Sequence, residues 1–129
     1  MSGKALSIGE LARRTGRSVH TIRWYEAQGL VPGVVRDAGG RRQYTERHVD
    51  WFGLLARLKS TGMPVAEMQR YARLIASGRQ GIPAQTQLLR LHREKVAAQL
   101  AELGEALALI DAKLTDYEAW RTTGKRTRK

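Results

Sequence analysis

Ser7-Ile8-Gly9-Glu10-Leu11-Ala12-Arg13-Arg14-Thr15-Gly16-Arg17-Ser18-Val19-His20-Thr21-Ile22 is the stretch on which the reading of the fold turns. Ser7 and Glu10 stand at capping-box spacing, where each side chain satisfies a backbone donor in the first turn of a helix. Ile8, Leu11 and Ala12 then recur at helical spacing, and Thr15-Gly16 breaks the pattern early. Ser18 can cap a second helix with Val19 and Ile22 on its buried side, ended by Gly29. Two short helices around a tight glycine-containing turn predict a helix-turn-helix.

Outward from this unit, Leu30-Val31-Pro32-Gly33 reads as an extended connection. Val34-Val35-Arg36 and Arg42-Gln43-Tyr44 read as two short strands joined by the turn Asp37-Ala38-Gly39-Gly40. So small a hairpin is marginal alone and must lean on the helices, as a wing does. Thr45 caps a third helix with Val49, Phe52, Leu55, Ala56 and Leu58 on its apolar side, closed by Gly62. Pro64 opens a fourth in its first turn, with Val65, Met68, Ala72 and Ile75 facing inward. The breaker-rich run from Ser77 to Pro83 reads as the loop that ends the globular part.

From about Pro83 to Trp120 the chain is one helical pattern. Val96, Leu100, Leu103, Leu107, Ile110, Leu114 and Tyr117 alternate steps of four and three, the a/d seam of a coiled coil. A helix with one narrow apolar stripe must bury it, either on its own domain or on a helix of another subunit; the length of this one favours the second. The expected organisation is therefore a winged helix-turn-helix domain at residues 1–76 and a linker at 77–82. A dimerisation helix at 83–120 and a disordered basic tail at 121–129 complete it. The fold class is mainly α.

The formal net charge of +11 over 129 residues points to a polyanionic partner, either nucleic acid or an acidic membrane surface. Residues 1–80 carry a net +8, residues 81–120 a net −2, and the last nine +5, so the basic surface lies in the N-terminal part and the tail. The absence of cysteine excludes disulfides, a thiol nucleophile, thiolate-bound zinc and an iron–sulfur cluster. No apolar run approaches the roughly 20 residues of a membrane span, and no signal-peptide core precedes the first helix. A cytoplasmic protein is expected. With no nucleophile–base pair, metal cluster or phosphate loop, and with the histidines in separate segments, the sequence reads as a non-enzyme without cofactor or metal.

Several residues are candidates for touching DNA. The second helix turns His20, Thr21 and Trp24 outward, with Arg17 and Arg23 on its flanks and Ser18 at its start. Recognition helices offer such N-terminal residues to base edges, while flanking cations hold phosphates. Thr21 can meet a thymine methyl and His20 can donate to an acceptor edge, although His20 also reads as a solvated surface residue. Trp24 and Tyr25 carry donors suited to the sugar–phosphate backbone, although Tyr25 also reads as half core. Arg41 and Arg42 at the wing, with Tyr44 beside them, and Lys59 near the end of the third helix complete the set.

The stretch from Ile8 to Tyr71 resembles the MerR family of bacterial regulators. Ile8-Gly9-Glu10-Leu11-Ala12 and Thr15-Gly16 are similar to that family's opening helix and turn. Thr21-Ile22-Arg23-Trp24-Tyr25-Glu26 with Gly29-Leu30-Val31 resembles its recognition-helix signature. Gly40-Arg41-Arg42-Gln43-Tyr44 is similar to its wing, and Leu58-Lys59-Ser60-Thr61-Gly62-Met63 to its second helix-turn-helix. His20 stands where arginine is frequent, Arg41 where an aromatic is usual, and Trp24 in place of a common tyrosine.

The resemblance implies a homodimer joined by an antiparallel coiled coil, bound to a pseudo-palindromic promoter operator. It also implies bending and untwisting of that DNA so that RNA polymerase engages both promoter elements. The C-terminal helix, from Gln87 to Tyr117, resembles the short-chain, aldehyde-stress type, which often carries a cysteine where Phe52-Gly53-Leu54 stands here. Thiol sensing is therefore lost, and an unidentified small-molecule effector or none remains. The reading set against this one is a non-specific architectural or coiled-coil interaction protein, which needs only the charge and the heptads.

Overall fold

A computed structural model describes residues 5–124. Its elements are α1 (Ile8–Thr15), α2 (Val19–Ala27), β1 (Val35–Arg36), β2 (Arg42–Gln43), α3 (Glu46–Ser60), α4 (Val65–Ala76), a 3-10 turn (Gly78–Gly81) and α5 (Ile82–Thr123). The chain divides into two compact units, the first reaching Leu89 and the second beginning at Arg90.

In the first unit, α1 starts where the sequence places it. The Ser7 N–H donates to the Glu10 carboxylate at 3.0 Å and the Glu10 N–H donates to Ser7 Oγ at 3.1 Å. Gly16 caps the other end, and Ser18 Oγ accepts from the Thr21 N–H at 3.0 Å to start α2. Leu11 and Ile22 are fully buried and join Tyr25, Tyr44, Phe52 and Leu55 in one core. Tyr25 stacks on Phe52 with ring centroids 5.5 Å apart, a contact that ties α2 to α3. A bidentate pair from Arg14 to Glu46, at 2.6 and 2.7 Å, links α1 to α3 at the surface.

The hairpin is shorter than its sequence suggests. Only Val35 pairs with Gln43 and Arg36 with Arg42, because Tyr44 leaves the hairpin to bridge Leu6 in an antiparallel pair. The wing is thus fastened to the chain before α1. Its tip is organised by Asp37, whose carboxylate accepts from the N–H groups of Gly39 and Arg41, both at 2.9 Å, and from the Gln43 side chain at 3.2 Å. Gly40 sits at φ +81°, a conformation that side chains resist, and that is why glycine stands there.

Tyr44 is fully buried, and its hydroxyl donates a short hydrogen bond to the Glu26 carboxylate of α2. Burial, and then this bond, raise its pKa well above the usual tyrosine range. On α3, His48 is a buried polar residue: Nδ1 accepts from the Thr45 N–H at 3.0 Å and Nε2 reaches the Pro32 carbonyl at 2.9 Å. Both bonds are satisfied by the neutral tautomer with its proton on Nε2.

Pro64 proves to be the N-cap of α4, with ψ 151°, rather than a residue of its first turn. Residues 78–81 form a 3-10 turn, not an open loop, and it packs closely. A Cβ on Gly81 would lie 2.2 Å from the Leu74 carbonyl oxygen. α5 begins at Ile82, and Leu88 is buried in the core, so the first unit extends beyond residue 76. The second unit is helical to Thr123, which takes Arg121 and its neighbours into the helix. The rest of the expected tail, residues 125–129, lies outside the described residues. Among the described residues no helix is long and apolar enough to cross a membrane.

Two outcomes follow from the hairpin. Tyr44→Phe deletes the hydroxyl from a buried carboxylate and is expected to destabilise the protein by about 1–3 kcal/mol in urea titrations. The backbone donors of Arg41 and Gly39 hold the Asp37 carboxyl below the ordinary carboxylate range. A depressed pKa contributes stability above the unfolded value and loses it as pH falls through the folded one. NMR titration should therefore show the Gly39 and Arg41 amides unperturbed at pH 5 and shifting only below about pH 4, the ordinary aspartate range.

Candidate nucleic-acid interface

α2 is a short helix with two sharply different sides. Ile22 and Tyr25 face the core, and the exposed residues His20, Arg23, Trp24 and Ala27 recur at the spacing of a single helix face. Thr21 is half-buried at the N-terminal turn, its hydroxyl 2.9 Å from Ser18 Oγ. Ser18 is occupied as the cap, so its role in the structure is to start the helix.

Two cationic side chains gather around the aromatic pair on α2. Trp24 and Tyr25 have ring centroids 5.3 Å apart. Lys59, delivered by the last turn of α3, places Nζ 5.4 Å from the Trp24 centroid and 5.9 Å from that of Tyr25. The Arg17 guanidinium lies 5.7 Å from the Tyr25 centroid. These are cation–π contacts, which position a charge without neutralising it. The sequence offers no signal joining Lys59 to Trp24, since they are far apart in the chain and belong to different helices.

The structure redistributes the other candidates. Tyr25 is 2% exposed and Tyr44 is fully buried, so neither stands at the surface to brace a phosphate. Their rings are needed by the core, Tyr25 against Phe52 and Tyr44 edge-on to His48. Arg42 does not project from the wing tip. It turns back, and its Nε meets the Glu26 carboxylate at 2.5 Å. Arg41 remains exposed at the tip. Arg36, which the sequence reading placed only as a strand residue, is also exposed, with Nη1 donating to the Gly40 carbonyl at 2.7 Å.

The loop between α2 and the wing is held by its carbonyls. Gln69 donates to the Gln28 carbonyl at 2.7 Å, Trp51 to that of Leu30 at 2.7 Å, and His48 to that of Pro32. A buried carbonyl without a partner is costly, and each of these donors removes that cost while fixing the path of the loop. The result is a basic, donor-rich helix face and a hairpin tip whose mutual placement is rigidly set. Such a surface can hold phosphates with its cations and present His20, Thr21 and Arg23 to base edges.

Comparison with known proteins agrees with this architecture. Residues 6–74 match the model of the MerR HTH family of regulatory proteins. An uncharacterized HTH-type transcriptional regulator of Haemophilus influenzae is 34% identical over 92% of this chain and 87% of its own length. A ZntR homolog from the same organism is 32% identical over 76% of this chain and 73% of its own. Among solved structures, HiNmlR, a MerR family regulator lacking the sensor domain and bound to promoter DNA, superposes with a TM-score of 0.80. It is 32% identical and covers 95% of this chain and 97% of its own. The chain belongs to the MerR HTH family of regulatory proteins.

Proposed function

We propose that this protein is a transcription regulator that binds a pseudo-palindromic promoter operator as a homodimer and distorts it to control access by RNA polymerase. The observation that supports the reading best is the exposed face of α2, where His20, Arg23 and Trp24 stand together with Lys59 over the Trp24 ring. HiNmlR, bound to promoter DNA, is similar to this chain along nearly all of its length.

In this reading α2 enters the major groove. Arg23, His20 and Thr21 read base edges, and Arg17, Lys59 and the Trp24 indole N–H hold the flanking backbone. The wing carries Arg41, with Arg36 beside it, to phosphates next to the groove. Two such units bind half-sites related by two-fold symmetry, and their joint contacts offset the deformation of the DNA between them, on the order of 1–6 kcal/mol. RNA polymerase takes part through the promoter, not through a contact with this chain.

The dimer rests on the second unit. Leu100, Leu103, Leu107, Ile110, Leu114 and Tyr117 are each more than half exposed along one stripe of α5. Apolar stripes of this kind are buried by a like helix in an antiparallel coiled coil.

The deciding experiment is a footprint on the upstream intergenic region, followed by competition of the protected site against bulk DNA. A single protected inverted repeat is expected, and uniform sequence-blind coverage would overturn the reading in favour of an architectural protein. Arg23→Ala is expected to cost about 1–3 kcal/mol and relax the preference at one base position. Lys59→Ala should weaken all sequences alike and lower the slope of log affinity against log salt by about 1. Replacing Leu103 and Leu107 by Asp is expected to give monomers in light scattering and to abolish the two-fold footprint.

A further inference from the structure

The joint between α4 and α5 is built more tightly than a linker needs to be, and all of it lies within the first unit. Leu74 stands in the last turn of α4, where carbonyls run out of intrahelical donors. Its carbonyl accepts from Ser77 Oγ at 2.7 Å and from the Gln85 side-chain amide of α5 at 3.0 Å. Gln85 is half-buried and joins the two helices directly. Between them the chain turns through Gly78, at φ +73°, and through the buried Gly81.

Gly81 leaves no room for a side chain. A Cβ there would lie 2.2 Å from the Leu74 carbonyl oxygen, 2.5 Å from Ser77 Oγ and 3.0 Å from the Leu74 carbonyl carbon. Ser77 Oγ can swing away, but the other two atoms are backbone, so the turn itself would have to open. The missing Cβ is what lets α5 start against the end of α4. Further along, Leu88 is buried in the core and Leu89 packs against it. Gly81, Gln85 and Leu88 follow one another at helical spacing, so three anchors hold one face of the start of α5. A single anchor would leave a swivel; three fix a direction.

The size of the effect can be set against DNA geometry. The gap at Leu74 must grow from 2.2 Å to 3.0 Å or more before a Cβ fits, a shift of about 1 Å. α5 is one helix from Ile82 to Thr123. At about 1.5 Å per residue its first two turns, to Leu89, span about 12 Å, so that shift tilts them by about 5°. Carried along α5, the tilt displaces Leu103 and Leu107, roughly 35 Å from the start, by about 3 Å. One base pair rises by about 3.4 Å and turns by roughly 35°. A single methyl group at residue 81 is therefore worth about one base pair of spacing.

We propose that Gly81 and Gln85 are positioning residues that set the half-site spacing the regulator accepts, by fixing the direction in which the first two turns of α5 leave the first unit. This rests on the reading above that two copies joined through α5 bind one operator. Neither residue touches DNA in this account. Each acts through the helix it holds, and the spacing of two half-sites is a geometric consequence of how the copies are joined.

Fluorescence anisotropy with the full-length protein tests this. The probes are duplexes carrying the footprinted inverted repeat with its native spacer, with spacers longer or shorter by one and two base pairs, and with a single half-site. Wild type is expected to prefer one spacing over its neighbours by about tenfold or more, since avidity is lost where geometry forbids joint engagement. Gly81→Ala should move the optimum by one base pair, while affinity for the single half-site stays within about twofold. Gln85→Ala loosens the joint without straining it. It should weaken the native spacing about threefold and narrow the gap to its neighbours. If Gly81→Ala fails to fold by circular dichroism, Gln85→Ala decides alone. A folded Gly81→Ala protein with the wild-type optimum, or a Gln85→Ala protein with the wild-type contrast, overturns the positioning role. So does a loss of equal size at every spacing and at the single half-site, which is what a merely structural residue gives. Both results leave the operator reading standing. A wild type that protects no inverted repeat, or prefers no spacing, overturns that reading and the positioning role together.

Discussion

The Glu26 carboxylate is the point on which the first unit depends. It lies on the α2 side turned away from the exposed face, 12% exposed, accepts from the Tyr44 hydroxyl and forms an ion pair with Arg42 Nε. An unpaired carboxylate at that depth would carry a desolvation cost of several kcal/mol. Paired twice, it does the opposite: it fastens the helix that carries His20, Arg23 and Trp24 to the strand that ends the wing. Tyr44 in turn bridges Leu6 through its backbone, with N–H and carbonyl exchanging bonds at 2.7 and 2.9 Å. One acidic residue thus connects α2, the hairpin and the chain entering α1. These bonds tie the helix to the wing, an arrangement suited to touching two places on a duplex in register.

The same requirement explains why the α2–wing connection is not an ordinary loop. Three donors from α3 and α4 take three alternate carbonyls between Gln28 and Pro32. The indole of Trp51 does this while its ring stacks on Tyr71 of α4, at 5.4 Å between centroids. α3 and α4 therefore serve the surface indirectly. Besides Lys59, what they contribute is to decide where the chain leaving α2 goes, and so where the wing starts.

The parts legible in the sequence are those governed by local rules. Ser7 with Glu10, Ser18, Gly16 and Gly29 act within one or two turns of their own position, and each helix boundary they set is found in the structure. The apolar stripe from Leu100 to Tyr117 is legible because a periodic pattern is local, and it stands exposed along α5. What sequence reading misplaced are side chains whose fate is decided across the fold. Tyr25, Arg42 and Tyr44 are residue types that suit a phosphate contact, and nothing local separates a tyrosine aimed at DNA from one aimed at Glu26. His48 went unremarked for the same reason, since its second bond reaches Pro32 from sixteen residues away. Lys59 was the converse case. It was a lone lysine in sequence, and it gained meaning only when the fold set it over Trp24.

That last contact separates the cations of the first unit into two kinds. Arg14 and Arg42 each meet a carboxylate, Glu46 and Glu26, and their charge is spent inside the protein to hold elements together. Lys59 and Arg17 are held instead by ring faces, and a ring quadrupole positions a cation without cancelling it. Their full charge still points outward at the edge of α2. A phosphate approaching this edge meets ammonium and guanidinium groups already held close to the aromatic pair, so little side-chain entropy is lost on contact. Replacing either cation's aromatic platform by a carboxylate would fix it equally well, but would remove the charge that a polyanion needs. The placement of aromatic residues beside the exposed face of α2, and of carboxylates behind it, thus leaves the cations on that face free to meet a polyanion.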